Sequence, residues 1–129
     1  MHKVEGGQWG STTVELVVVL PAFMLAVLLA VQVGMVVYAA QTAEAAAQEA
    51  VEAGRGEPDV DTVGVARART VLEATGAVAD PQIRVSRATD VVTFRVSGVA
   101  PQVVPGLGVR VAASASGPVE RFLTPAERP

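Results

Sequence analysis

The stretch Leu16–Val31, LVVVLPAFMLAVLLAV, contains no charged residue, and after Gln32 the chain continues as VGMVVYAA to Ala40. Together these make roughly 25 nearly continuous apolar residues, more than the ~20 that a helix needs to cross a ~30 Å hydrocarbon core. A chain of 129 residues has no second element able to cover every face of such a helix. A secretory signal has a shorter apolar region and is cut at its end. The pattern therefore predicts a retained transmembrane helix over 11–40. Pro21 falls inside it, where it removes one backbone donor and introduces a kink. Trp9 and Tyr38 flank it as interfacial aromatics do, although each is the lone residue of its type. Lys3, the α-amino group and Glu5 precede the segment and Glu44, Glu49 and Glu52 follow it. That asymmetry favours a cytoplasmic N-terminus and an extracytoplasmic C-terminal part.

The rest of the chain excludes several kinds of chemistry. A net charge of −3 with dispersed arginines lacks the basic cluster that a nucleic-acid partner requires. Absence of cysteine removes disulfides, thiolate metal sites and a cysteine nucleophile. His2 is the sole histidine and reads as a tail residue, so no Ser-His-Asp set can form. Gly106-Leu107-Gly108 lacks the rest of a nucleotide fingerprint and reads as a turn. Asp59, Asp61 and Asp90 do not have calcium-loop spacing and read as capping or solvated loop residues. No catalytic residue, metal, cofactor or small-molecule substrate is expected, and the chain reads as a non-enzyme.

Beyond the apolar run, QTAEAAAQEAVEAG places Gln41, Glu44, Gln48 and Glu52 on one helical face and Ala40, Ala43, Ala47 and Ala50 on the other. A helix from about Thr12 to Ala53, ended by Gly54, would be roughly 60 Å long. RGEPDVD (55–61) breaks it. Asp61 is a candidate cap for a second helix to about Thr75, with Val65, Ala68 and Leu72 on one face and an Arg69–Glu73 pair. Then the period changes to two. Ile83 and Val85, then Val92, Phe94 and Val96, then Val109, Val111 and Ala113 mark three strands, the first two joined by a hairpin at Ala88-Thr89-Asp90. Such a sheet needs a helix over its apolar face, and both helices are candidates. The expected class is α+β, with an extracytoplasmic domain over 41–116 and a poorly ordered tail over 117–129.

Two features within the helix invite a functional reading. Glu15 lies directly before the apolar run, where a carboxylate is costly unless it is paired or stays at the headgroup level. Ala22, Ala26, Ala30 and Gly34 recur every fourth residue and form a small-residue stripe of the kind along which membrane helices approach closely. In an alanine-rich helix chance also produces such ladders, so spacing alone leaves both readings open.

Gly10-Ser11-Thr12-Thr13-Val14-Glu15 followed at once by the apolar helix resembles the processing site of type IV prepilins. That resemblance implies a leader over 1–10, cleavage between Gly10 and Ser11 by a prepilin peptidase, and Glu15 as the carboxylate that neutralises the new α-amino group of a neighbouring subunit. The longer stretch from Gly10 to about Ala53 resembles more specifically the TadE-like branch of the tight-adherence pilus system. The matching positions are Gly10, Val14, Glu15, Leu20, Pro21, Gly34, Tyr38 and Ala39. It departs from the pattern in Leu16, where an aromatic is usual, and in a leader with one lysine and no arginine. The resemblance implies a single-pass pilin-like subunit or assembly factor in the lipid bilayer, partnered by other pilin-like and pilus-assembly subunits. Two other readings stay open: an unprocessed anchor carrying an extracytoplasmic interaction domain, and a secreted protein with a long signal cut near Ala43-Glu44-Ala45.

Overall fold

The computed structural model describes residues 2–119, with side chains from Thr12 onward. One helix, α1 (His2–Gly54), runs through the whole N-terminal part and contains Pro21. It begins ten residues before the expected start and ends where glycine was expected to end it. Gly56 then takes a left-handed conformation (φ 79°) and turns the chain back.

The second helix, α2 (Val60–Thr75), starts at Asp59, whose Oδ1 accepts from the Thr62 N–H at 3.3 Å. The cap is therefore Asp59, and the Asp61 assignment is corrected: Asp61 instead accepts from Arg87 at 2.9 Å. Thr62 is three residues beyond Asp59, the spacing at which a capping carboxylate reaches a free helical N–H. Val60, Gly64, Ala68 and Leu72 make its buried face. Among the described residues the ion pairs are Arg55–Glu52, Arg67–Glu49 and Arg87–Asp61. Arg69–Glu73 is not one of them, so α2 is tied to its neighbours rather than to itself.

Three strands, β1 (Ala79–Ala88), β2 (Val91–Val99) and β3 (Arg110–Pro118), form an antiparallel meander in that order. Thr89-Asp90 is the turn between the first two. Val109 lies just ahead of the third strand, which extends through Gly117 and Pro118, beyond the boundary placed at 116. Val91 pairs with Pro118, and the Val119 N–H donates to the Asp90 carbonyl at 2.9 Å. Residues 120–129, the remainder of the expected tail, lie outside the described residues.

The core lies between this sheet and both helices, and small residues dominate the helix side. Ala39, Ala43, Ala46, Ala47 and Ala50 of α1 are all fully buried against Phe94, Val96, Val92 and Val111, with Ala68 and Leu72 of α2 alongside. Alanine leaves room for the sheet to lie close on α1. Phe94 fills the space that remains beneath α2, where a Cβ on Gly64 would strike its ring and come within 3.0 Å of the Ala50 carbonyl. The sheet lies lengthwise along the helix: Gly117 touches Val51 at one end, and the β2–β3 loop reaches Gln32 at the other.

Candidate membrane and assembly site

From Val14 to Val31 the large apolar residues of α1 are uncovered. Val14, Leu16 to Leu20, Phe23, Met24, Leu25, Val27 to Leu29 and Val31 are all exposed. None of the most apolar part of Thr12–Gly54 is buried, and the helix is long and apolar enough to cross a membrane. No charge occurs from Leu16 to Ala43, a rise of roughly 42 Å at 1.5 Å per residue.

The positions singled out from sequence all lie on this helix. Gly10 and Ser11 are inside α1. Glu15 is exposed, one helical turn beyond Ser11. Ala22, Ala26, Ala30 and Gly34 are exposed as well, and a Cβ at Gly34 would meet nothing within 4 Å. At roughly 100° per residue, Ala30 and Gly34 lie about 140–200° around the helix from Gln32, Ala39 and Ala50, which face the domain. The small-residue stripe thus faces away from the chain's own domain where the two are at the same level. The structure brings these positions onto one helix; it does not bring Glu15 together with the stripe.

The sequence reading missed Gln32. It is 3% exposed, one of two buried polar side chains in the described residues. Its carboxamide holds the β2–β3 loop: Oε1 accepts from the N–H of Val103 (2.8 Å) and of Val104 (3.1 Å), and Nε2 donates to the Pro101 carbonyl (3.2 Å). A lone amide in an apolar run was the available signal, because an unbonded amide there costs several kcal/mol. What it bonds, some 70 residues later, had no local trace.

Asp59 is held below the ordinary carboxylate value, first by the Thr62 side-chain hydroxyl and then by the Thr62 N–H, with Arg87 adding attraction. No group of three His, Asp or Glu residues able to hold a metal occurs among the described residues.

Residues 10–52 match the family model described as TadE-like protein. The matched segment is TadE-like. The match spans α1 from Gly10 to Glu52 and leaves α2 and the sheet outside it. No curated protein and no solved structure matches the chain. A TadE-like segment on an uncovered, apolar helix supports a pilin-like, membrane-associated component of the tight-adherence system.

Proposed function

We propose that this TadE-like chain is a minor pilin or pseudopilin-type subunit. In this reading α1 stands in the membrane with its N-terminus cytoplasmic, and the sheet domain is extracytoplasmic. The observation that carries it is a TadE-like helix with bulky apolar residues left uncovered while Ala30 and Gly34 face away from the domain. A second helix can approach that side without meeting the sheet, and small residues allow close van der Waals contact in lipid. A prepilin peptidase cuts between Gly10 and Ser11. Glu15, one turn from the new terminus, then neutralises the α-amino group of an adjacent subunit, and the processed chain joins other pilin-like subunits in a type IV-related surface fibre.

The N-terminal residue of protein recovered from native membranes tests processing: Ser11 supports it and Met1 rejects it. Glu15→Gln is expected to leave membrane insertion intact and to reduce the chain in sheared surface fractions at least several-fold. Equal recovery of variant and parent would leave Glu15 as a headgroup-level residue. One observation favours the unprocessed anchor instead, since α1 is helical through Gly10 and Ser11 and a peptidase would first have to unwind it. Gly6, Gly7 and Gly10 lower that barrier, because each costs a helix about 1 kcal/mol relative to alanine.

A further inference from the structure

The loop that Gln32 holds, Pro101–Val109 (PQVVPGLGV), has a composition and a position that the assembly reading does not use. No charge occurs between Arg95 and Arg110. Leu107 and Val109 are 40% and 38% exposed, and just beyond Gln32 on α1 Val33, Val37 and Tyr38 are 63%, 50% and 50% exposed. These are large apolar groups on an exposed end of the domain, continuous with the uncovered span that stops at Val31.

Height along the helix indicates what covers them. Glu15 and Gln32 are roughly 26 Å apart at 1.5 Å per residue. With Glu15 at one edge of a ~30 Å hydrocarbon core, the other edge falls near residue 35, about a turn beyond Gln32. The loop therefore meets the helix inside the bilayer boundary and not above it.

Irregular backbone at that depth requires its polar groups to be bonded within the protein, and this loop meets that requirement in part. Pro101 and Pro105 carry no N–H. Those of Val103 and Val104 are taken by Gln32, and the Leu107 N–H donates to the Val104 carbonyl at 3.2 Å. The last bond closes a turn with Pro105 then Gly106, whose φ of +86° suits glycine at the third position. At the loop's base the Val109 carbonyl accepts from the Ala100 N–H at 2.9 Å. Its first flanking charge, the exposed Arg110, stands at headgroup height.

We propose that the β2–β3 loop is a second membrane contact: Leu107 and Val109, with Val33 and Val37, insert at the acyl–headgroup boundary of the bilayer that α1 crosses. Gln32 is the positioning residue that ties loop to helix and sets the domain's height and tilt on the membrane. The inference rests on the reading of α1 as a membrane span.

The test uses the full chain with Trp9→Phe, reconstituted into phosphatidylcholine vesicles carrying brominated acyl chains, and one tryptophan introduced at a time. Val19→Trp reports the span, Leu107→Trp the loop, and Val91→Trp the far end of the sheet, about 26 Å away along β2 at 3.3 Å per residue. Emission from Val19→Trp and Leu107→Trp is expected to fall at least about twofold relative to unbrominated vesicles, with Val91→Trp unchanged. Val109→Trp repeats the loop measurement should Leu107→Trp disturb the turn. Quenching at Val19 with both loop positions at the Val91 level overturns the loop's insertion and leaves the span standing. Blue-shifted but unquenched loop emission also overturns it and assigns the patch to a second copy of the chain. No quenching at Val19 removes the span itself, and the inference with it.

Discussion

The two halves of α1 are one continuous helix with opposite rules for where large side chains go. From Val14 to Val31 the large residues are Val, Leu, Phe and Met, and every one of them is exposed. From Gln32 on, Ala39, Ala43, Ala46, Ala47 and Ala50 face inward with no exposure, joined by the buried Gln32 and Thr42. Water would reverse this arrangement, because bulky apolar groups are the ones it drives inward. The helix is therefore built for two solvents: lipid tails around the first half, the protein's own sheet against the second. Gln32 marks the junction, and its amide is the polar contact at which the domain begins.

That contrast predicts unequal answers to similar changes. Phe94 is fully buried and is the largest such side chain, so Phe94→Ala should cost the domain about 3–5 kcal/mol. Unfolding of the full chain in detergent, followed by circular dichroism, should then show loss of the sheet while the apolar half of α1 stays helical. Simultaneous loss of both would mean that the two halves are a single cooperative unit. Next in size is a matched pair of alanine replacements. Ala47→Leu forces three extra carbons into a fully covered position and should cost about 1–3 kcal/mol by overpacking. Ala26→Leu, on the exposed span, should alter the unfolding midpoint by less than about 0.5 kcal/mol while weakening assembly in surface fractions. Equal unfolding costs for the two would break the comparison.

Much of this division is legible in the sequence because it follows periodicity. The uncharged run marks the lipid-facing half, and the Gln/Glu-versus-Ala alternation over 41–52 marks the half that carries the domain. Val92, Phe94 and Val96 alternate with Thr93, Arg95 and Ser97, and the three apolar ones are buried. Long-range pairings were not legible. Asp59 and Asp61 are equally good caps by composition, and only the arrival of Arg87 from β1 assigns Asp61 to an ion pair. Gln32 finds its partners through the fold of a loop that has no charge, no repeat and no regular period. Gly117 joins β3 because it pairs with Val92 and lies against Val51, where a Cβ would not fit, which a composition of Gly and Pro does not suggest.

Gln32→Leu sharpens the junction at a smaller cost. It removes the acceptor of the Val103 and Val104 N–H groups. Leaving part-buried donors without partners should cost about 1–2 kcal/mol. Hydrogen exchange should accelerate at Val103 and Val104 while Phe94 in β2 stays protected. Acceleration across all three strands would instead make Gln32 part of the core, and the boundary between the two environments would move towards the N-terminus.

The smallest expected effect lies farthest from the membrane, at the Asp59 cap. The folded protein holds this carboxyl below its ordinary value of 3.8, chiefly through the Thr62 hydroxyl and N–H. A lowered folded value means the unfolded chain binds the proton more readily. The contribution of the cap's charge is therefore complete above about pH 5, where both states are ionised. It declines as pH falls through the unfolded value and is gone below the folded one. Asp59→Asn keeps an acceptor without the charge, so its thermal midpoint should lie slightly below the parent's at pH 7 and converge with it as the parent's carboxyl protonates. Asp59→Ala lacks the acceptor at every pH and should remain lower throughout. The changes should be confined to α2 and the sheet, because nothing in the lipid-facing half of α1 touches this cap. A pH-dependent shift in the helicity of that half would show that the junction at Gln32 transmits strain between the two environments.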